Sequence, residues 1–424
     1  MRPLTLGVLT LVVGCAGSVV VSPSRDAAMS ETLGDVGVPA DESGNRSDAT
    51  DVHGDVADAT ARDPRCPSPP CLRHTILRSH RNGMWLVFPD GRTLHWGGAQ
   101  ISRPGIHSDR FPTAGPQLSS DVLDVQGQSD HNCALLADGG RVVCWGDGGS
   151  GQLGNRTLDF SLQPVEVAGL RGVTSIAVAS NSSWALRGTQ VFYWGFGPGL
   201  GGTPMVSAPR ASFLISGATA FANPPSSNTM GVLLLSGGAV AWGAYFRTDT
   251  GEGPFGSRLA PEPIAGIRGI TSLSLSPRAS CAIAEPGRTT WCWGDRYGLF
   301  DTLQEDPPRY QESPAPVLGV GELVEVAVNE FFACGVTPAR GVLCWGSNDL
   351  GGIGIGSNDR GVLPPGALVA LPPVREIAMG NRAVCALTME DEVYCWGSAE
   401  SSVLTVNENV PQRSPLRVYP RSAP

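Results

Sequence analysis

The sequence predicts an all-β protein, a seven-bladed β-propeller with four-stranded blades. The chain of 424 residues contains 55 Gly and 35 Pro, which favour turns over helix interiors. Short β-rich runs, about four to a unit, alternate with these turns. A four-stranded unit of about 50 residues is typical of a propeller blade. The dipeptide Trp-Gly marks seven such units, at intervals of 48 to 52 residues: Trp96, Trp145, Trp194, Trp242, Trp293, Trp345 and Trp396.

Composition excludes several classes of function. All 30 basic residues are Arg, and the absence of Lys excludes a Schiff-base enzyme, a Ser-Lys hydrolase and a Walker-type phosphate loop. The formal net charge is −9, but ten of the 39 acidic residues lie within residues 26–63. The remainder is nearly neutral and has no basic stripe, so we expect no nucleic-acid partner.

Residues 1–21 have the pattern of an export signal. Arg2 precedes the apolar run 4–13, and Gly14-Cys15-Ala16 supplies small residues at a cleavage region. Val12-Val13-Gly14-Cys15 resembles a bacterial lipoprotein box, which implies acylation of Cys15 and anchoring at the cell envelope or outer membrane. A plain signal peptide, which would give a secreted protein, and an uncleaved anchor extended through residues 19–21 remain alternatives.

An acidic segment separates this signal from the propeller. Residues 22–65 have no aromatic residue and recurrent Asp, so they cannot bury enough apolar surface to fold. We expect a disordered linker that holds the body away from the membrane. The propeller domain is then expected over residues 66–424.

The two ends of the repeat array predict how the ring closes. Most units start with a proline-led strand such as residues 164–167, but the first unit has no clear equivalent. Residues 415–420, PLRVYP, match that opening strand after the seventh Trp-Gly. We therefore expect the C-terminal strand to close the ring by pairing with the first blade, which removes exposed sheet edges.

The cysteines occupy matched positions in four hairpins. One Cys precedes the hairpin turn and the other immediately precedes Trp, whereas three units lack both. This pattern predicts a disulfide within each hairpin and an oxidising compartment; reduced core thiols or metal ligands are the alternative. Cys66 and Cys71 are expected to form a fifth, local bridge. The predicted hairpin pairs are Cys133–Cys144, Cys281–Cys292, Cys334–Cys344 and Cys385–Cys395.

Residues 131–155, HNCALLADGGRVVCWGDGGSGQLGN, resemble the repeat of the regulator of chromosome condensation family. The resemblance covers about residues 70–420 and is clearest in repeats 2, 5, 6 and 7. It implies a seven-bladed propeller that binds protein partners. Guanine-nucleotide exchange, one of the family's activities, is not carried over, since no exchange-loop motif matches particular residues here.

Signals for catalysis or cofactor binding are weak. Two G-x-G-x-x-G matches, including Gly149-Gly151-Gly154, directly follow Trp-Gly and are interpreted as repeat turns. His131 precedes Cys133 and is interpreted as a support of the hairpin rather than a base. We expect no cofactor, no metal site and no enzymatic activity.

The segments after Trp-Gly differ in length and chemistry. Residues 243–263 combine aromatic residues with Arg, and residues 294–316 are acidic with aromatic residues. Aromatic and Arg side chains are the usual anchors of interfaces, and ordinary loop packing is the alternative interpretation. The candidate partner-binding residues are Tyr245, Phe246, Arg247, Arg296, Tyr297 and Tyr310.

The sequence thus predicts a monomeric, non-enzymatic protein-binding scaffold, lipid-anchored at a bacterial cell envelope. Its variable loops on one face would recognise a protein partner. A carbohydrate-binding adhesion module is one alternative. A propeller enzyme with its active site at the mouth of the central channel is the other.

Overall fold

The computed structural model describes residues 12–13, 19–20 and 74–420, except for 81–82, 98–108, 120–121, 129, 198–204, 223–228, 247–254, 296–298, 300–309, 367, 399–403 and 405–409. Cys15, Cys66 and Cys71, like the domain boundary expected at residue 66, lie outside the described residues. Strands β1 (Val12–Val13) and β2 (Val19–Val20) form a two-residue antiparallel pair.

The described chain from residue 76 onward folds into seven four-stranded antiparallel sheets, which confirms the predicted seven-bladed propeller. Each sheet uses four consecutive strands, so each is one blade. The short turn Asp138–Gly140 in blade 2 is a 3-10 helix. Blade 1 holds β3 (Ile76–His80), β4 (Gly83–Val87), β5 (Thr93–Gly97) and β6 (Asp109–Ala114); blade 2 holds β7 (Val122–Gly127), β8 (His131–Leu136), β9 (Val142–Gly146) and β10 (Ser161–Glu166); blade 3 holds β11 (Ser175–Val178), β12 (Ser182–Arg187), β13 (Gln190–Gly195) and β14 (Val206–Ala211).

The remaining blades repeat this order. Blade 4 holds β15 (Ala218–Phe221), β16 (Thr229–Leu234), β17 (Ala239–Phe246) and β18 (Phe255–Pro263); blade 5 holds β19 (Ile270–Leu275), β20 (Ala279–Ala284), β21 (Thr289–Asp295) and β22 (Tyr310–Pro316); blade 6 holds β23 (Glu325–Val328), β24 (Phe332–Val336), β25 (Val342–Ser347) and β26 (Val362–Leu363); blade 7 holds β27 (Val374–Met379), β28 (Ala383–Thr388), β29 (Val393–Gly397) and β30 (Gln412–Tyr419).

The first strand of each blade lies nearest the axis of the ring. First strands of neighbouring blades contact one another, as β3 does with β7, β19 with β23, and β27 with β3. The contact between β27 and β3 joins blade 7 to blade 1 and closes the ring.

The predicted pairing of the C-terminal strand with the first blade is wrong. Strand β30 pairs with β29 and forms the outer strand of blade 7. The proline-led strand that opens a sequence unit is in fact the outer strand of the preceding blade, as β10 shows by pairing with β9. Blade 1 therefore needs no strand from the other end of the chain, and the ring closes by packing between sheets.

Each Trp-Gly marks a bend in the third strand. The seven glycines have φ between 93° and 122°, a region that other residues rarely adopt. Space is equally restrictive, because a Cβ on Gly195 would lie 2.3 Å from the carbonyl oxygen of Asn181. Pairing with the fourth strand shifts register at this point, for example between Tyr193 and Gly195. Glycine therefore allows the bulge that aims the preceding Trp into the core.

The core is divided among seven hydrophobic clusters, one in each seam between adjacent blades. Each seam buries the Trp of the later blade, and the seven Trp-Gly tryptophans are between 0 and 4% exposed. In the closing seam, Trp96 of blade 1 lies with Leu387 and Val418 of blade 7. The tryptophans thus hold blades together and are not available as a platform for sugars.

The four predicted hairpin disulfides are confirmed. Their cysteines are directly opposed across each hairpin, with Cα atoms 4.0–4.1 Å apart. This separation is close to the ~4.5 Å of a narrow antiparallel pair. Each disulfide lies in the seam where the next blade's Trp is buried; Cys133 and Cys144, for example, share a cluster with Trp194.

The three blades without cysteines fill the same position differently. Trp85 of blade 1 meets Trp145 edge-on with ring centroids 5.6 Å apart, and Trp184 of blade 3 lies 5.0 Å from Trp242. Blade 4 has Gly231 there, and a Cβ at that position would approach Leu275 Cδ1 to 2.5 Å. Side chains from the next blade therefore replace the missing volume, which maintains close packing.

We predict that Cys385→Ala/Cys395→Ala lowers the free energy of unfolding by about 2–3 kcal/mol, because a loop of 10 residues is no longer constrained in the unfolded chain. Urea unfolding followed by tryptophan fluorescence measures the change. Peptide mapping of the unreduced protein is the companion measurement, and free thiols at the eight paired positions would contradict the assignment.

Candidate binding surfaces and the polar belt

The topology gives the ring two different faces. Because consecutive strands are antiparallel, connections alternate between the faces. We call one the loop face: it carries the connections between the third and fourth strands of each blade, such as residues 147–160 and 348–361. We call the other the turn face: it carries the short turns between second and third strands and the connections between blades. Most of the variation in connection length lies on the loop face.

Two loop-face connections are fixed to the neighbouring blade. In residues 147–160, the carbonyl of Gln152 accepts a hydrogen bond from Trp194 Nε1 at 2.8 Å, and in residues 348–361 the carbonyl of Gly352 accepts one from Trp396 Nε1 at 2.9 Å. A Cβ on Gly154 would lie 2.7 Å from Trp194 Nε1. The interpretation of Gly149-Gly151-Gly154 as a repeat turn is therefore confirmed.

The two segments predicted to bind a partner belong to adjacent blades. Strands β17 and β21 end, and strands β18 and β22 begin, at the loop face. The backbones of Tyr245 and Phe246 are in β17, and that of Tyr310 begins β22. Arg247, Arg296 and Tyr297 lie outside the described residues. The strand ends that flank the two segments therefore lie on one face of adjacent blades.

One buried serine–histidine pair has a geometry unsuited to nucleophilic catalysis. His131 Nε2 lies 2.7 Å from Ser183 Oγ, and that hydroxyl donates to the carbonyl of Gln152 at 3.0 Å. Both side chains are at most 1% exposed, and burial lowers the pKa of His131 to about 3. The pair links blade 2 to blade 3, consistent with a supporting role for His131.

A belt of charged side chains lies on the inner strands at the closing seam. We define the polar belt as Arg78, Asp124, Glu325 and Glu376. Arg78 Nε lies 2.7 Å from Asp124 Oδ1 in blade 2, and its Nη1 lies 2.9 Å from Glu376 Oε2 in blade 7. Arg78, on blade 1, is 8% exposed and Glu376 is 2% exposed. One guanidinium thus joins three consecutive blades.

The belt also satisfies backbone donors across seams. Glu376 accepts from the N–H of Leu77, and Glu325 Oε2 accepts from the N–H of Ile377 at 3.4 Å. The seam between blades 5 and 6 has the same arrangement with a hydroxyl, since Ser274 Oγ accepts from the N–H of Val328 at 3.0 Å. In three consecutive seams, a side chain on one inner strand therefore bonds the backbone of the next.

Burial dominates the electrostatics of the belt. Burial, reinforced by the nearby charge of Glu376, raises the pKa of Glu325 to about 8. Burial also raises the pKa of Glu376, against the attraction of Arg78. The two carboxylates around Arg78 outweigh its burial and raise its pKa further above its ordinary value. The belt at neutral pH therefore combines a charged guanidinium with a Glu325 side chain that mostly retains its proton.

Sequence reasoning missed this belt, although a signal was present. Asp124, Glu325 and Glu376 occupy equivalent positions of their inner strands. Each acid lies two residues before the residue that pairs with the first cysteine of its blade's disulfide. An acid recurring inside otherwise apolar runs such as LVEVAVN (323–329) is that signal.

Within the described part of the chain, no group of three His, Cys, Asp or Glu is arranged to hold a metal ion, and no helix is long and apolar enough to span a membrane.

Residues 139–186 match the regulator of chromosome condensation (RCC1) repeat. The matched span starts within the hairpin turn before β9 and ends in β12, so one RCC1 repeat comprises parts of blades 2 and 3. This offset explains why the strand that opens a sequence unit is the outer strand of the preceding blade.

Related chains extend this similarity. The ultraviolet-B receptor UVR8 of Arabidopsis thaliana is 25% identical over 311 residues, covering 70% of each chain. The E3 ubiquitin-protein ligase HERC2 of Homo sapiens is 25% identical over 258 residues, 56% of this chain but 5% of HERC2. The solved structure of Prp20p from Saccharomyces cerevisiae has a TM-score of 0.65 at 18% identity, covering 77% of this chain and 85% of Prp20p. That structural likeness supports the propeller fold.

We predict that Glu325→Gln flattens the pH dependence of stability. Between pH 4.5 and about 8 the folded state retains a proton that the unfolded state has released. Unfolding therefore releases a proton, and the wild type should lose stability as pH rises, by up to about 1.4 kcal/mol per pH unit. Gln keeps an oxygen for the Ile377 N–H but does not titrate. Urea unfolding across this range tests the slope, with exposed Glu322→Gln as the control; equal slopes in all three proteins would contradict the assignment.

Proposed function

We propose that this protein is a non-enzymatic docking scaffold, displayed at a bacterial cell envelope, that binds a protein partner through its loop face. The observation that carries the proposal is that the strands flanking these two variable connections, β17 with β18 and β21 with β22, belong to adjacent blades and meet the same face of a closed ring. Variable loops on a rigid scaffold are where binding sites are usually built. The six candidate contact residues supply aromatic rings and guanidinium groups.

The relatives support a binding role. Prp20p is described with binding properties to Gsp1p and histones, and yeast RCC1 (Prp20) has been solved bound to Kap60. UVR8 is a receptor. These activities belong to those proteins, and what this chain shares with them is a ring on which partner-specific loops are mounted.

Display at the envelope rests on two further features. The lipoprotein box around Cys15 supports acylation at that residue, followed by the acidic segment 22–65 as a tether. Four hairpin disulfides fit a chain that folds in an oxidising compartment. Export and lipid anchoring are therefore part of the same proposal.

We predict that replacing Tyr245, Arg247, Arg296 and Tyr297 by Ala abolishes capture of the partner. The variant removes four candidate anchors. The loss of any two anchors of about 2 kcal/mol each already weakens binding by roughly a thousandfold. Crosslinking in solubilised envelope followed by mass spectrometry identifies proteins that the full wild-type chain captures and this variant does not. A variant of the opposite face, Phe213→Ala/Leu214→Ala, is the matched control. If the loop-face variant captures the same proteins as the wild type, the proposed surface is wrong.

We predict that Cys15→Ser moves the protein from the membrane fraction to the soluble fraction, because the acyl group is lost. Mass spectrometry of the N-terminal peptide measures the acylation directly. A wild-type peptide without added lipid would contradict anchoring while leaving partner binding by the loop face to be judged from the crosslinking result.

A further inference from the structure

The connection between blades 3 and 4 differs at its tip from the connections on either side of it; farther round the ring, the connection 317–321 also exposes a leucine, Leu318. The connections 167–172 (VAGLRG) and 264–269 (IAGIRG) turn through Ala-Gly, and their tip glycines have φ of +68° and +82°. The equivalent connection 212–217 (SFLISG) has Phe213-Leu214 at the tip. The next residue is buried in each case, as Leu170, Ile215 and Ile267 show. The same buried position therefore anchors each connection, although Leu214 does not adopt the left-handed φ of Gly169 and Gly266. The exposed side chains of Phe213 and Leu214 add little packing to the core.

The tip is part of an exposed apolar patch on the turn face. We define the apolar tip as Phe213, Leu214 and Leu235, whose relative exposures are 94%, 58% and 61%. The Leu235 N–H donates to the carbonyl of Gly217 at 2.8 Å, and the Leu214 N–H donates to Ser212 Oγ at 3.3 Å. These bonds hold the turn of blade 4 against the connection that precedes it. Exposed apolar side chains on an ordered, protruding turn are typical of an interaction surface.

Two exposed arginines flank the apolar tip. Residues 167–246 contain no Asp or Glu, and among their arginines Arg171 is already paired with Glu166 of β10, which leaves Arg187 and Arg210. Arg187 and Arg210 are exposed in blade 3, next to the connection that carries the tip. The guanidinium of Arg187 lies 4.4 Å from the centre of the Phe192 ring. An apolar tip flanked by two exposed arginines is complementary to a surface that is anionic outside and apolar inside, as an anionic bilayer is.

The propeller begins on the same face as the apolar tip, so the predicted linker joins the ring at its turn face. Strand β3 runs from the turn face to the loop face, so the chain reaches His74 at the turn face from the segment that contains Cys15. A flexible linker of 44 residues, the length the sequence predicts for residues 22–65, would have an r.m.s. span of roughly 35–40 Å. Such a tether gives the tip a high effective concentration at the bilayer, so a weak contact suffices to orient the ring.

We propose that the apolar tip and the flanking arginines dock the turn face on an anionic phospholipid surface. This rests on the proposed lipid anchor at Cys15 for its biological setting. Docking presents the opposite loop face, with residues 243–263 and 294–316, away from the membrane. Phe213, Leu214 and Leu235 enter the interfacial region, while Arg187 and Arg210 meet phosphate headgroups.

The test uses the exported chain with Cys15→Ser, so that no acyl group contributes to binding. Co-flotation measures its partition onto vesicles of phosphatidylglycerol and phosphatidylcholine and onto vesicles of phosphatidylcholine alone. We expect binding to the anionic vesicles, a reduction of about tenfold or more with Phe213→Ala/Leu214→Ala, and weaker binding at high salt. The loop-face variant Tyr245→Ala/Tyr297→Ala should bind the vesicles like its parent.

Folding and competing explanations are separated within the same experiment. The Phe213→Ala/Leu214→Ala variant should melt at the temperature of its parent, because both side chains are exposed and pack little against the core. Absence of vesicle binding by the parent, or equal binding by the tip variant, overturns the proposal. A third outcome also overturns the proposal. If the parent does not bind vesicles and the tip variant loses a specific crosslinked protein, the apolar tip binds a protein partner. Acylation at Cys15 is measured separately, so failure of the anchor and failure of the dock are distinguishable.

Discussion

The structure depends on one constraint: each four-stranded sheet has two apolar faces, and both must be covered by neighbouring sheets. No blade can satisfy this requirement alone, which is why the hydrophobic core consists of seam clusters rather than one central mass. The Trp of every Trp-Gly meets this constraint by filling the seam with the preceding blade. The glycine that follows it gives the strand the left-handed bend that this position needs.

Every seam buries a Trp in the same position, but the groups that pack against that Trp differ from seam to seam. The volume facing the buried Trp is filled by a disulfide in four seams, by a second indole in two, and by leucines of the next blade beside Gly231 in another. This explains why cysteine pairs are either complete or absent. A single Cys would leave both an unfilled seam and an unpaired thiol, whereas an aromatic pair fills the space with no redox requirement.

Features set by local chemistry and by periodicity could be predicted from the sequence. Trp-Gly spacing predicted the number of blades, and cysteine positions relative to Trp predicted the cross-strand pairs such as Cys133–Cys144. The partner of β30 was assigned wrongly because sequence units and blades are offset by one strand. The polar belt could not be assembled in advance, since Arg78 and Glu376 are 298 residues apart and meet only in a closed ring. The apolar tip was also missed: Phe213-Leu214 stands out only when the blade connections are compared as equivalent turns.

The seam between blades 7 and 1 has a mechanical character that the other six do not share. A peptide connection crosses each of the others, whereas β30 stays within blade 7 and leaves this seam without a covalent link along the backbone. Within the described residues, the contacts that cross this seam are noncovalent, so they bear any force that spreads the ring here. Arg78 and Glu376 meet at this gap, and Glu376 also holds the Leu77 backbone. The strength of these two interactions sets how strongly blades 7 and 1 resist separation.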